Sequence, residues 1–176
     1  ERTYEWSWNG DVLERIIENR VHIYSHDGLG RLTRVDSGGD WGFNYIYENN
    51  RLVEMNYSND IECVRVDRLK YTNNKLSEVE EIYDPEDDPE ICTYSIKWNG
   101  NNITKIDGID EWNDELHILF EYDDNPNPFY GLLFFDEDIS WAGQGMGALS
   151  ENNIKKVVSE NPGFEGNYST TTRIFS

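Results

Sequence analysis

The chain has 176 residues and a mass of 20.6 kDa, which is enough for one domain with its own core. Its 35 Asp and Glu residues outnumber 15 Lys and Arg residues, and the formal charge of -20 repels phosphate backbones and anionic lipid headgroups, which excludes nucleic acid and bare anionic membranes as partners. Hydrophobic residues make up 37% and aromatic residues 14% of the chain, so it is not a disordered acidic protein.

One sequence pattern recurs along the chain, namely a Leu or Ile anchor followed three positions later by a second apolar residue. The six copies are Leu13/Ile16, Leu32/Val35, Leu52/Met55, Leu76/Val79, Ile103/Ile106 and Ile154/Val157. The long interval before the last copy has room for a seventh unit, which we place near Leu132. Such self-similarity indicates a repeat architecture in which each copy is one supersecondary unit.

Each copy has the sequence signature of a β-hairpin. In four copies an aromatic residue stands five positions before the anchor: Trp8, Tyr47, Tyr71 and Trp98. In the second copy the loop HDGLG moves Tyr24 farther back. Between aromatic and anchor lie Asn9–Gly10, Asn49–Asn50, Asn73–Asn74 and Asn99–Gly100. Asn and Gly tolerate positive φ and suit type I′ turns, so a hairpin is predicted at each copy.

Upstream of each turn, aromatic and polar residues alternate, as in Phe43, Tyr45 and Tyr47. This period of two places the rings on one face of the sheet, which we predict to be the interior, with the acidic residues outside. The second strands fit less well, because residues three apart point to opposite faces of a regular strand. A β-bulge, or burial on both faces near the turn, would reconcile the spacing, and the sequence leaves both open.

These features predict an all-β fold, a single strongly curved antiparallel meander of about seven hairpins that forms a partial barrel or folds over itself. We treat residues 1–176 as a single β-hairpin-repeat domain. Residues 125–150 break the repeat with Pro126, Pro128 and four glycines, and are interpreted as an insertion that forms a loop or a short helix. No transmembrane span is predicted, because the longest strongly apolar stretch, YGLLFF at 130–135, is far shorter than ~20 residues.

The units FNYIYENNRLVEM and YSHDGLGRLTRV resemble YD-type repeats of the Rhs and teneurin kind. The match is closer to uncharacterised domains of secreted or surface lipoproteins from gut Gram-negative bacteria, which carry segments similar to residues Asn101 to Ile106 and Tyr122 to Leu132. This resemblance implies an extracytoplasmic address and an antiparallel sheet that is porin-like but soluble. It carries no catalytic residue across.

Aromatic side chains outside the strand ladder are the candidates for ligand binding. Trp41, Trp112 and Trp141 lie outside it, and we predict that they form an exposed platform on which sugar rings stack. Rings within the ladder are assigned to the core. The acidic cluster Asp136, Glu137 and Asp138 offers hard oxygen ligands, which makes calcium the one metal that the sequence suggests, although the EF-hand pattern is absent.

Catalytic signatures are weak. A glycan-processing hydrolase would need two Asp or Glu residues about 5 to 10 Å apart, and acidic stretches occur at 83–90, 121–125 and 134–140. In so acidic a chain, solvated loops are the favoured interpretation of these stretches. Cys63 and Cys92 are expected on the aromatic face with one strand between them. Two strand spacings of ~9.6 Å exceed the ~7 Å Cα limit of a disulfide, so we predict two buried free thiols.

We therefore expect a non-enzymatic extracytoplasmic β-repeat domain, at the outer-membrane surface or in the periplasm, that binds a glycan or a peptide or serves as a scaffold. Because the chain begins at Glu1, we also expect a removed N-terminal targeting segment, and the resemblance to lipoprotein domains implies a lipid anchor in it. A glycan-processing hydrolase that uses Asp/Glu pairs is the alternative. A structural or assembly role through edge-strand pairing is the third hypothesis.

Overall fold

The computed structural model describes the backbone of residues 4–9, 12–17, 20–36, 41–59, 62–86, 88–109, 115–127, 149–163 and 167–174. Side chains are described for residues 23–36, 41–59, 62–86, 88–109, 115–127 and 149–160 and for Thr172. These residues contain β-strands and no α-helix. In this part of the chain, no helix has the length and apolar character that crossing a membrane requires.

Thirteen strands are formed by the described residues. They are β1 (Tyr4–Asn9), β2 (Val12–Ile17), β3 (Arg20–His26), β4 (Leu32–Asp36), β5 (Gly42–Glu48), β6 (Arg51–Ser58), β7 (Cys63–Thr72), β8 (Lys75–Tyr83), β9 (Glu90–Asn99), β10 (Asn102–Ile109), β11 (Glu115–Pro126), β12 (Asn152–Gly163) and β13 (Asn167–Ile174). Their order in the sheet is the order of the chain, from β1 to β13. The predicted all-β antiparallel meander is confirmed.

The turns agree with the Asn pattern in two hairpins and differ by one residue in a third. Asn49 and Asn50 have φ values of 48° and 63°, and Asn73 and Asn74 have values of 51° and 64°, as a type I′ turn requires at both central positions. In the β9–β10 hairpin, Asn99 is the last residue of β9 and pairs with Asn102, so Gly100 and Asn101 form the turn. Gly100 has φ 54° at the first central position, which is typical of type II′.

A β-bulge directly after the anchor explains the spacing of three. Tyr47 pairs with Leu52 while Ile46 pairs with Glu54, so one residue of β6 is left without a partner on β5. The same register shift occurs in the β3–β4, β9–β10 and β11–β12 hairpins. The extra residue interrupts the alternation of side chains between the two faces of the sheet. The anchor and the second apolar residue therefore point to the same face. Of the two explanations that the sequence left open, the bulge is correct for these four copies, whereas Leu13 and Ile16 of β2 pair with β1 in continuous register.

Burial follows from this geometry. In β6, β8 and β10 the anchor and the second apolar residue are both buried, and the two residues between them are half-buried. The facing strands bury Phe43, Tyr45, Tyr94, Ile96, Ile118 and Phe120. Ser95, Lys97 and Glu121, which alternate with them, are exposed. The predicted interior face is therefore confirmed, although Tyr47, Tyr71 and Trp98 at its turn end are half-buried.

A basic residue directly before the anchor covers the aromatic ring of the next hairpin. The Arg31 guanidinium carbon lies 4.5 Å from the centroid of the Tyr47 ring, and Lys75 Nζ lies 5.1 Å from the centroid of the Trp98 ring. Trp98 Nε1 also donates a hydrogen bond to the Leu76 carbonyl at 2.7 Å. These cation–π contacts link consecutive copies and account for the Arg-Leu or Lys-Leu pair of the repeat.

The contacts within the chain define two compact units, one of Glu1–Lys70 and Glu80–Ile91 and one of Tyr71–Val79 and Cys92–Ser176. A single domain over residues 1–176 stays a prediction. The first unit buries Tyr24, Val35, Phe43, Tyr45, Leu52, Met55, Val66, Leu69 and Ile82, and the second buries Leu76, Val79, Cys92, Tyr94, Ile96, Ile103, Ile106, Leu116, Ile118, Phe120 and Val157.

The two flanks of the predicted insertion are hydrogen-bonded to each other in the second unit. Asn127 donates from its backbone N–H to the Glu151 carbonyl at 2.8 Å and from its side chain to the Ser150 carbonyl at 2.9 Å. Ser150 is buried, and its Oγ lies 2.8 Å from Tyr122 Oη and accepts a hydrogen bond from the Ile103 N–H at 3.0 Å. β11 extends to Pro126, and the insertion over residues 125–150 stays a prediction. Residues 128–148, with the proposed unit near Leu132, lie outside the described residues.

Gly108 in β10 is required by the ring of Tyr94. A Cβ atom at Gly108 would lie 2.3 Å from Cδ1 of this fully buried ring and 2.8 Å from the Thr93 carbonyl oxygen. We expect Gly108→Ala to lower the free energy of unfolding by about 1–3 kcal/mol, because ring and backbone must both shift. Urea unfolding of the variant measures this loss. Gly28→Ala is the control, since nothing lies within 4 Å of that Cβ position; equal effects of both changes would contradict the packing argument.

The positive φ of Asn73 gives a second expectation. Asn73→Gly should leave the stability unchanged or slightly raised, because Gly adopts φ 51° without strain. Asn73→Val should destabilise by about 1–2 kcal/mol, because a β-branched residue is strained in the left-handed region. Thermal unfolding of the two variants provides the comparison, and a Val variant as stable as the Gly variant would show that the turn does not need this conformation.

Candidate functional site

A row of side chains crosses three neighbouring strands on the interior face of the first unit. Phe43 of β5 pairs with Tyr57 of β6, and Tyr57 pairs with Arg65 of β7. The next row consists of Tyr45, Met55 and Asp67 in the same strands. The bulge in β6 is what places Met55 and Tyr57 on this face together with Leu52.

The rings at one end of the row form a stack that reaches the surface. Tyr57 stacks with Trp41, at a centroid distance of 5.1 Å and an interplanar angle of 18°, and with Phe43, at 4.6 Å and 30°. Trp41 is 43% exposed, whereas Phe43 is buried. Because Tyr57 covers one face of the indole, a ligand can reach the ring only at its other face and its edges. We call Trp41, Phe43 and Tyr57 the Trp41 platform.

Charged side chains occupy interior positions beside this platform. Arg65, Asp67 and Glu81 are 7%, 3% and 0% exposed, and we call them the buried charge cluster. Arg65 Nη2 donates a hydrogen bond to Asp67 Oδ2 at 3.2 Å, and Arg65 Nε lies 3.0 Å from Asp67 Oδ1 without the alignment of a hydrogen bond. The Tyr83 hydroxyl donates to Glu81 Oε2 at 3.2 Å. The Arg65 guanidinium carbon is 5.9 Å from the centroid of the Tyr57 ring, so cluster and platform are in contact.

The electrostatics of this cluster favour a neutral carboxyl at Asp67. The pKa of Asp67 is raised to about 7, chiefly because burial disfavours the ionised form; the Arg65 guanidinium lowers this pKa and the Glu81 carboxylate raises it. Removal from water disfavours the ionised form of an acid, and a second carboxylate has the same effect. An acid with a raised pKa beside a second carboxylate is also a feature of glycosidase sites. Here, however, both carboxyl groups are shielded from solvent and from a polysaccharide.

This cluster corrects the expectation that all acidic residues lie outside. Asp67 and Glu81 were not among the predicted site residues. The sequence did contain a signal, because Arg65 and Asp67 have the same parity as Leu69 and Tyr71 in β7. Charged residues at positions that should carry rings are unfavourable unless they are paired, and they mark a position to be examined.

The other predicted site residues fall into two groups. Trp41 lies on the described surface and belongs to the platform. Trp112, Trp141, Asp136, Glu137 and Asp138 lie outside the described residues, so their roles in ligand and calcium binding stay predictions. Within the part of the chain that the structure describes, no group of three or more His, Cys, Asp or Glu side chains is arranged to hold a metal ion.

The cysteines have no arrangement that suggests a nucleophile. Cys63 and Cys92 are free, and β8 lies between their strands as predicted. Cys92 is buried, but the prediction of burial is wrong for Cys63, which is half-buried because it is the first residue of β7. Burial raises the pKa of the Cys63 thiol despite a hydrogen bond to the Arg65 carbonyl, and Glu86, Glu54 and Asp67 raise it further. A thiol that stays protonated is a poor nucleophile.

A second charged group lies on the outer face of β9, β10 and β11. Asp107 accepts contacts from three cationic or ionisable side chains, with Lys97 Nζ at 2.7 Å, Lys105 Nζ at 2.5 Å and His117 Nδ1 at 2.8 Å. Burial alone would raise the pKa of Asp107, but the hydrogen bonds from Lys105, Lys97 and His117 outweigh it and lower the pKa to about 2. This group gathers basic side chains on the surface of an acidic chain.

The lowered pKa of Asp107 predicts an acid-sensitive contribution to stability. The ionised form is favoured in the folded state, so its contribution is present above the unfolded value of 3.8 and is lost as the pH falls toward 2. Asp107→Asn should cost about 1–2 kcal/mol near neutral pH and nothing below about pH 2. Chemical unfolding at several pH values tests this, with the exposed Asp88→Asn as the control. A cost independent of pH would contradict the electrostatic explanation.

Comparison with known proteins leaves the family open. No protein-family model matches the sequence, and no curated protein matches it significantly.

Proposed function

We propose that this protein is a non-enzymatic, extracytoplasmic β-repeat module of a bacterial surface or periplasmic lipoprotein, and that it binds a glycan through the Trp41 platform. The observation that supports the proposal most directly is Trp41, a residue that is 43% exposed and whose ring is held in a stack by Tyr57. A ring whose orientation is set before binding costs little entropy when a ligand packs on it. Its open face is apolar and suits the C–H face of a sugar ring.

The surroundings of the platform support binding of a neutral glycan in preference to an acidic one. The formal charge of the chain is -20, which repels anionic polysaccharides over the distance of a Debye length. The guanidinium of Arg65 lies over the Tyr57 ring and is buried, so it does not offer an anion a surface contact. The extracytoplasmic address is supported by the sequence resemblance to secreted and surface lipoprotein domains.

A glycan-processing hydrolase is the second candidate. Its support is the pair Asp67 and Glu81, in which one carboxyl has a raised pKa. The exposures of 3% and 0% weigh against it, because a hydrolase must bring both groups to the scissile bond. Binding is therefore the better supported function of this face.

A glycan array followed by titration of the best neutral hit tests the proposal. We expect Trp41→Ala to weaken binding at least about tenfold, which corresponds to ~1.4 kcal/mol, and Trp41→Tyr to weaken it less, because a smaller ring remains. Ile46→Ala is the matched control. Ile46 lies in β5, the strand that directly follows Trp41, and its exposure of 40% is close to that of Trp41. This control should bind like the unchanged protein.

Three results would contradict the proposal. Equal losses in the Trp41 and Ile46 variants would show that the platform has no specific role. Turnover of the bound glycan that is lost in Asp67→Asn and kept in the exposed Glu48→Gln would establish the hydrolase. An array without hits, combined with a molecular size that grows with protein concentration, would favour assembly through edge strands.

A further inference from the structure

The buried charge cluster adjoins the Trp41 platform, and the two share a contact. Arg65 lies opposite Tyr57 in the β6–β7 pairing and faces the Tyr57 ring at 5.9 Å. Tyr57 in turn stacks on Trp41 at 5.1 Å. The Tyr57 ring alone therefore connects Arg65 to Trp41, and a displacement of Arg65 is transmitted to Trp41 through this ring.

Two carboxyl groups lie close together in the cluster, away from water. Asp67 is 3% exposed, and the charged groups that shift its pKa are the Arg65 guanidinium and the Glu81 carboxylate. Tyr57 on β6, Cys63 on β7 and Tyr83 on β8 also lie at the cluster. A proton on Asp67 removes its repulsion with the Glu81 carboxylate, whereas the loss of that proton places two like charges beside each other in the interior, which is costly.

We propose that the buried charge cluster is a proton-linked switch for the Trp41 platform: it is well packed while it holds one proton, and when that proton leaves, Arg65 moves and the platform loses order. The role of the switch in ligand binding rests on the function proposed above. The linkage between proton and platform does not, and it is measured without a ligand.

The direction and the pH range of the change in stability follow from the pKa of Asp67. Its pKa of about 7 in the folded state is above the value of 3.8 that applies to the unfolded chain. Between these values the folded protein binds more protons than the unfolded one, so stability falls as the pH rises through this range and reaches its lower level above pH 7. The platform should accordingly be ordered in mildly acidic solution and looser in alkaline solution.

The first test compares urea unfolding at about pH 5.5 and about pH 8.5. The unfolding midpoint of the unchanged protein should be lower by about 1 M at the higher pH. In Asp67→Asn the midpoint should not change with pH, because the amide has the shape and charge of the protonated carboxyl. Glu48→Gln removes an exposed acid of the same unit and should behave like the unchanged protein. A pH dependence that persists in Asp67→Asn would overturn the proposal.

The second test observes Trp41 itself. The protein is labelled with 5-fluorotryptophan, and the Trp41 signal is assigned in the ¹⁹F spectrum by its loss in Trp41→Phe. We expect this signal to shift or broaden with a midpoint near neutral pH in the unchanged protein and in Glu48→Gln, and to stay constant in Asp67→Asn. A Trp41 signal that does not respond to pH in the unchanged protein would also overturn the switch.

A third variant distinguishes a proton shared by the two carboxyl groups from a general loss of stability. Glu81→Gln removes a carboxylate that raises the pKa of Asp67, so the transition near neutral pH should move to a lower pH. The double variant Asp67→Asn with Glu81→Gln removes both carboxylates from around the guanidinium and should lower the urea midpoint at both pH values. Additive, pH-independent effects of the two single changes would contradict a shared proton. If Trp41 titrates and no glycan binds, the proposed function fails and the switch stands.

Discussion

The β-bulge after the anchors Leu32, Leu52, Ile103 and Ile154 is the constraint on which the rest of the structure depends. A regular strand would send the two apolar residues of a copy to opposite faces. The extra residue, which is Thr33 in β4, Val53 in β6 and Thr104 in β10, restores them to one face. Thr33 and Thr104 each donate a hydroxyl hydrogen bond to a carbonyl of the opposite strand, which stabilises the irregular position. Leu52 and Met55, or Ile103 and Ile106, can then pack with the rings of the facing strand.

Two contacts of the same kind join consecutive hairpins. Arg31 covers Tyr47 and Lys75 covers Trp98, so a cation of one copy meets a ring of the next at the turn end of the sheet. Arg31 is itself held by Asp27, at 2.6 Å, in the turn that precedes it. The basic residues of this acidic chain are thus used partly to protect half-buried rings from water.

The interior of the first unit departs from this scheme at Arg65, Asp67 and Glu81. A sheet whose only requirement was stability would carry rings or aliphatic side chains there, because buried ion pairs seldom stabilise a fold more than apolar residues of similar volume. The unit therefore combines an unfavourable charge arrangement with an adjacent exposed Trp ring. Such local departures from the packing rules are frequent at functional sites. That association is why the platform and the cluster are interpreted together.

The sequence by itself determined the class of fold, the hairpin positions and the face on which the rings lie. These follow from local rules. Asn49–Asn50 and Asn73–Asn74 determine the turn type, and the alternation of aromatic and polar residues with a period of two determines the face. It left the bulge undecided, because a bulge depends on the register between two strands and not on either strand alone. Only the tertiary structure showed that Arg65, Asp67 and Glu81 share one buried site and that Trp41 rests on Tyr57. Those contacts join residues of different strands, and their pairing is set by packing across the sheet, which no single segment encodes.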